Sequence, residues 1–214
     1  MREYYDRRAP EYDDWYLGRG LFADRDRPGW EDELAQLTRA IAALPAARTL
    51  DVACGTGFLT RHLRGDVVGL DQSARMLAQA SRQVPTATFV EGDAFAMPFP
   101  DRSFDRVFTG HFYGHLAEPD RLRWLDEARR LAPELVVVDA SRAHSQVDDE
   151  MSQRVLEDGS RWRVYKRWFV GAALADELGG GEVLHEGRWF VIVRTYEWPL
   201  GGSSRAFAAS DVSA

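Results

Sequence analysis

Arg48-Thr49-Leu50-Asp51-Val52-Ala53-Cys54-Gly55-Thr56-Gly57 is the stretch that decides how the rest of the chain is read. Leu50 and Val52 are apolar and β-favouring, and the run breaks at Gly55 and Gly57. Phe58 to Arg64 follows with helix-like periodicity and is stopped by Gly65. The order strand, glycine turn, short helix is that of the first βα unit of a doubly wound sheet. Two glycines let the main chain approach a ligand closely, and a helix start behind them offers unpaired N–H groups.

Before this stretch, Leu34, Leu37, Ile41 and Leu44 form one stripe of a helix beginning near Trp30 and ended by Pro45. After it, Asp66–Asp71 predicts a second strand, and Ser73 can cap a helix carrying Met76, Leu77 and Ala80. Ala87–Glu91 and Phe104–Phe108 are the third and fourth strands, and Pro119 opens a helix through Leu122, Leu125, Ala128 and Leu131. Glu134–Asp139 is the most continuous apolar run and is expected to lie inside the sheet. This rhythm implies parallel βαβ units. Ser141–Glu157 is polar and predicts loop and helix. Ala172–Leu178 predicts a helix, and strands at Glu182–His185 and Phe190–Tyr196 predict an antiparallel closing pair. From Gly201 the small polar residues predict a frayed tail.

The first seventeen residues carry Tyr4, Tyr5, Tyr12, Trp15 and Tyr16, with Pro10 among them. Two readings stand: a helix packing aromatics on the domain, or a lid over a ligand. At 214 residues one α/β domain is expected, and no apolar run approaches the ~20 residues that span a bilayer. The charged N-terminus shows no signal peptide, and a lone Cys54 fits a reducing, cytoplasmic setting. Net charge is −7, which disfavours nucleic acid as a partner. The one dense basic stretch, Arg161–Trp168, alternates cations with aromatics. It suits an anion-binding lid, or more simply a strand with its aromatics turned inward.

Asp51, Asp71, Asp93 and Asp139 fall at strand ends, the rim where open α/β sheets bind ligands. Clustered carboxylates call for a ligand rich in donors, such as a ribose diol and an exocyclic amine. Asp71 follows Asp51 by twenty residues, a spacing that suits a dinucleotide. That fingerprint needs a third glycine, however, and Thr60 stands there; the Gly-Lys-Ser/Thr of a phosphate loop is missing too. The turn suits a nucleoside without phosphates.

Asp51-Val52-Ala53-Cys54-Gly55-Thr56-Gly57 resembles the first motif of class I S-adenosylmethionine-dependent methyltransferases. The resemblance continues through Val68–Ser73, Glu91–Ala94, Phe104–Val107 and Leu135–Asp139. Tyr12-Asp13 and the final strands are similar to the ubiquinone/menaquinone-type, small-molecule branch. It implies a Rossmann-like α/β fold: a doubly wound, seven-stranded, mostly parallel sheet with an antiparallel last strand. One domain over residues 1–200 is expected, with a helical cap (1–45), a cofactor-binding core (46–140) and a substrate-side segment (141–200).

The same resemblance implies S-adenosyl-L-methionine as cofactor, S-adenosyl-L-homocysteine as product and a small-molecule acceptor for a monomer or homodimer. Asp51, Ala53, Gly55 and Gly57 would line the methionine and ribose, with Tyr12 above them. Asp71 would accept the ribose hydroxyls, Gln72 and Met76 would pack on adenine, and Asp93 and Ala94 would meet its edge. His111 would flank the sulfonium end. As proton acceptors, His111, His115 and Tyr113 are the candidates, with His144 weaker; a metal is not expected, since no third ligand joins the two histidines. Two alternatives are the same cofactor used for other chemistry, and a non-catalytic nucleoside-binding subunit.

Overall fold

The computed structural model describes residues 1–196. The tail expected from Gly201 and the last residues of the expected domain lie outside them. Seven strands form one sheet: β1 (Thr49–Val52), β2 (Val67–Asp71), β3 (Thr88–Glu91), β4 (Arg106–Gly110), β5 (Glu134–Ala140), β8 (Glu182–Glu186) and β9 (Phe190–Thr195). Their order is β3-β2-β1-β4-β5-β9-β8. The pairs among β1 to β5 are parallel, while β9 runs antiparallel to β5 and β8. The sheet is therefore the mostly parallel, doubly wound one expected, with the antiparallel last strand inserted beside β5.

The apolar runs explain this order. Leu135, Val136, Val137 and Val138 of β5 are fully buried, so both faces of the strand are covered. Leu135 and Val137 pack toward α5 (Glu118–Leu131) and α6 (Gly171–Glu177). Val136 and Val138 pack toward Leu37 and Ile41 of α3 (Trp30–Ala43). At about 1.5–3 kcal/mol per buried side chain, these four residues alone contribute about 6–12 kcal/mol. Ser73 caps α4 (Ala74–Gln83) by accepting the Met76 N–H at 3.1 Å. In α5 it is Trp124, fully buried, that fills the inner face, and the expected Leu122 is exposed.

Two local expectations are corrected. Phe58–Arg64 is not a helix but one 3₁₀ turn at Thr60–His62. Phe58, Leu59 and Thr60 are all buried, and Gly65, at φ +105°, folds against Ala47 so tightly that a Cβ there would lie 2.3 Å from its carbonyl oxygen. The chain must turn back into β2 before a helix can form. Ser141–Glu157 is not helical: after a 3₁₀ turn at Arg142–His144 it forms β6 (Asp149–Val155). That strand pairs antiparallel with β7 (Arg161–Arg167) in a separate two-stranded ribbon.

The N-terminal cap comprises α1 (Arg2–Arg8), a 3₁₀ turn at Ala9–Glu11 that accommodates Pro10, and α2 (Asp14–Leu17). It is tied to α4 and the glycine turn. Asp6 accepts the Ser73 hydroxyl at 2.6 Å, and Gln79 donates to the Ala9 carbonyl at 2.6 Å. Asp13 accepts from Gln83 at 2.7 Å and also from Thr56. Among the described residues no helix is long and apolar enough to cross a membrane.

Candidate active site

A cavity of about 410 Å³ opens at the carboxyl ends of β1, β2, β3 and β4, under the cap and against the ribbon. A wider hollow of about 730 Å³ lies outside the cap, between the Gly18–Gly29 loop and α3, but no strand end reaches it. The chemistry-bearing groups converge on the first.

One end of the cavity is the acidic rim. The turn after β1 places Ala53 (φ 58°) and Gly55 (φ 56°) in the left-handed region, where alanine is strained and glycine is not. Tyr12 lies over this turn, and a Cβ on Gly55 would be 3.5 Å from its ring. Asp71 ends β2 and accepts the N–H groups of Gly55 (3.0 Å) and Ser73 (2.9 Å). Burial raises its pKa against the pull of those N–H groups. Asp93 accepts from Phe95 N–H at 2.9 Å and, with Gln72 and Ala94, completes this end.

The other end is formed by His111, Phe112 and His115 after β4, with Met151, Arg163 and Tyr165 of the ribbon. His111 has φ 57°, a strained conformation of the kind that accumulates at functional sites. Its Nδ1 is 4.0 Å from Asp139, and its buried Nε2 has no hydrogen-bond partner among the described residues. His115 Nδ1 is 2.6 Å from the Tyr165 carbonyl, so that nitrogen carries the proton. Both imidazoles have their pKa pushed down to about 3, chiefly by burial. The charge of Lys166 adds to this in each case. Neither is charged near neutral pH. Nitrogen-15 spectra of the protein should therefore show His111 and His115 as neutral imidazoles at pH 5.5; a charged ring there would contradict the geometry.

Behind them Lys166 of β7 forms a buried ion pair with Asp139 at the end of β5. Asp139 also accepts from Gly114 and Ala140 N–H groups, both at 2.7 Å. Burial raises its pKa, but the Lys166 ammonium beside it outweighs that and holds it below the ordinary value. The fourth carboxylate of the expected rim thus has its own cation and needs no ligand.

Of the residues expected at the site, Tyr12, Ala53, Gly55, Asp71, Gln72, Asp93, Ala94, His111 and His115 line the cavity. Asp51 lines a small adjoining hollow with Tyr12, Ala53 and Phe58, and its Oδ2 accepts the Thr60 hydroxyl at 2.6 Å. Gly57 does not line the cavity; at φ +81° it packs on α4, where a Cβ would lie 3.3 Å from Ala80. Met76 is fully buried in α4 and the cavity does not reach it. Tyr113 is buried on the far side of its 3₁₀ turn and donates to Glu177 at 2.7 Å, out of range of the site. His144 is held by the Arg188 carbonyl (3.0 Å) and Trp168 (3.1 Å), away from the cavity.

The basic-aromatic stretch is the strand β7 and combines parts of both expected forms, with Trp162 packed against Tyr4 on one side. Val164 and Lys166 are its buried positions, while Arg163 and Tyr165 meet the cavity. Met151 and the Asp139–Lys166 pair went unforeseen, whereas Tyr5 belongs to the N-terminal aromatics read as a packing helix or a lid; the apolar and charged alternation of β7 was the only trace of the pair.

The arrangement selects among ligands. The Gly55 N–H is taken by Asp71, the Gly57 N–H by the Cys54 carbonyl, and no helix N-terminus stands behind the turn. With both glycine N–H groups of the turn taken and carboxylates around it, a pyrophosphate finds a poor cradle there, so the turn does not suit a dinucleotide. A ribose diol and an amine fit it, since carboxylates are acceptors only.

Residues 49–134 match a family model described as a methyltransferase domain. The chain is 30% identical over 201 residues to a 2-phytyl-1,4-naphtoquinone methyltransferase of Trichormus variabilis, covering 84% of this chain and 76% of that one. It is 35% identical over 132 residues to a demethylmenaquinone methyltransferase of Thermotoga maritima, covering 59% of this chain and 54% of the relative. The chain thus spans about half the length of that second relative. A solved structure described as the DhpI–SAH complex superposes with a TM-score of 0.68 at 29% identity, over 92% of this chain and 95% of that one.

Proposed function

Because the chain belongs to the class I S-adenosylmethionine-dependent methyltransferases, we propose that it moves a methyl group from S-adenosylmethionine to a small-molecule acceptor. The carrying observation is that one cavity joins a donor-seeking, phosphate-refusing rim to a chamber walled by two uncharged imidazoles. Asp71 would hold the ribose hydroxyls, and Asp93 with Ala94 would hold the adenine edge. Tyr12 and Tyr5 would cover the ligand. Bound there, the cofactor supplies a methyl group made electrophilic by its sulfonium.

What the chain's own residues add is placement and dryness. The cap and ribbon close over the cavity from two sides, and orientation of reacting groups can supply roughly 7–11 kcal/mol. His111 and His115, with pKa values pushed down to about 3, are poor matches for removing a proton near neutral pH. They serve better by accepting a hydrogen bond from the acceptor and aligning it. The cavity lies near the lower end of the roughly 300–1,000 Å³ typical of ligand pockets, so the nucleoside leaves room only for the reacting end of an acceptor. A long hydrocarbon tail would have to lie outside.

The test is transfer of labelled methyl from the cofactor to candidate acceptors, beginning with reduced quinones of the kinds in the relatives' names. Binding of the cofactor without turnover of any acceptor would favour a non-catalytic role. Asp71→Asn should weaken S-adenosylhomocysteine binding at least tenfold, about 1.4 kcal/mol. Calorimetry showing an unchanged dissociation constant would sink the ribose role.

A further inference from the structure

Among the described residues that line the cavity, one carries a cationic side chain, Arg163 of β7. The cations that follow it on the strand have partners: Lys166 is paired with Asp139, and Arg167 with Glu177 at 3.1 Å. Arg163 makes no hydrogen bond or ion pair with any described residue, and across the ribbon it faces Gln153, not an acid. Three carboxylates line the same cavity. Asp71 and Asp93 stand at the acidic rim. Asp120, near the start of α5, lies a few residues beyond His115 and Leu116, and no ion pair joins it to Arg163.

The strand sets the place of Arg163 relative to the imidazoles. His115 Nδ1 meets the Tyr165 carbonyl at 2.6 Å. Arg163 comes two residues before Tyr165 in β7, so both side chains leave the same face, with Cα atoms about 7 Å apart. Met151, opposite Tyr165 across the ribbon and 50% exposed, adds an apolar edge, and Phe112 and Leu116 line the same chamber. At its inner end His111 Nε2 is buried without a hydrogen-bond partner. The chamber therefore runs from bare imidazole nitrogens along an apolar wall to a fork of five N–H donors. A carboxylate is the group whose two oxygens match such a fork.

We propose that Arg163 selects methyl acceptors that carry a carboxylate. The end to be methylated lies at His111 and His115, a flat apolar body lies along Tyr165 and Met151, and the carboxylate enters the guanidinium fork at the mouth. This deepens the methyl-transfer reading above and rests on it. A neutral acceptor would leave the fork unused, and a cationic one would have to turn from it to Asp120.

Calorimetric titration of the protein saturated with S-adenosylhomocysteine tests it. Three probes share a phenol and differ in charge: 4-hydroxyphenylacetate, 4-hydroxyphenylacetamide and tyramine. The acid should bind at least about fivefold more tightly than either of the others, near the upper end for an open ion pair. Arg163→Gln should bring acid and amide within about twofold of each other, and Arg163→Lys should keep part of the preference. Since Arg163 holds no other described residue by a hydrogen bond or ion pair, both variants should melt within about 2 °C of the parent. Equal affinities for acid and amide in the unaltered protein would overturn the proposal. So would tighter binding of tyramine, no binding of the acid, or a full preference that survives in Arg163→Gln. Failure of S-adenosylhomocysteine itself to bind, measured first, would overturn the cofactor reading, and this proposal with it.

Discussion

Lys166→Met is expected to cost the fold about 3–5 kcal/mol, the usual consequence of stranding one member of a buried ion pair. Asp139 is fully buried and Lys166 is 6% exposed, so neither charge can turn to water when the other is removed. Two N–H groups would remain on Asp139, too few to replace a cation in a dry site. In a chain of this size each kcal/mol lowers the melting temperature by about 2–4 °C, so a fall of roughly 6–20 °C should be seen calorimetrically. Pairing the change with Asp139→Asn should recover much of the loss, because the stranded charge is gone. A double-mutant cycle in urea isolates that coupling. A single variant within about 1 kcal/mol of the parent would mean that the pair does not hold the ribbon to the sheet. The site should respond too: burial would still depress His111 and His115, but without the nearby ammonium both should titrate higher.

This pair shows where sequence reading stops. The strands of the sheet were legible because β1, β2, β4 and β5 are buried on both faces and each carries a short apolar centre, such as Val107-Phe108 or Leu135-Val136-Val137-Val138. Ser73 was legible as a cap because its chemistry is local. β6, by contrast, reads Asp-Glu-Met-Ser-Gln-Arg-Val and alternates between exposed and half-buried positions. It pairs with one strand only and covers no core, so no hydrophobic run marks it. The turn after β4 was found but only partly decoded. Which of His111, Tyr113 and His115 faces the cavity depends on a single 3₁₀ turn and on Glu177, 64 residues away, waiting for the Tyr113 hydroxyl. Asp139 was legible as a strand end, whereas its cation lies 27 residues on, in a segment whose placement no periodicity reveals.

Asp51→Asn is expected to stabilise the protein at pH 8, by up to about 4 kcal/mol, and hardly at all at pH 4. Burial pushes the pKa of Asp51 up to about 7; the Thr60 hydroxyl pulls it down and the charge of Asp71 pushes it up. In the unfolded chain it titrates near 3.9. Between those values the folded state holds a proton that the unfolded state has released, so stability falls as pH rises from about 4 to 7. Above that the loss is complete. Asparagine keeps an acceptor for Thr60 and never ionises. The difference between variant and parent should therefore grow through this window and level off, with every other titrating group cancelling. A difference that stays constant with pH in urea titrations would show that Asp51 ionises normally. The ligand should reverse the cost. A cation brought into the hollow beside Asp51 favours its charged form, and the ammonium of S-adenosylhomocysteine is such a cation. Its affinity should rise about tenfold per pH unit between pH 5 and 7 and then flatten. S-adenosyl-3-thiopropylamine, the same thioether without the carboxylate, keeps the ammonium and should show the same slope. Asp51→Asn should abolish the slope for both ligands.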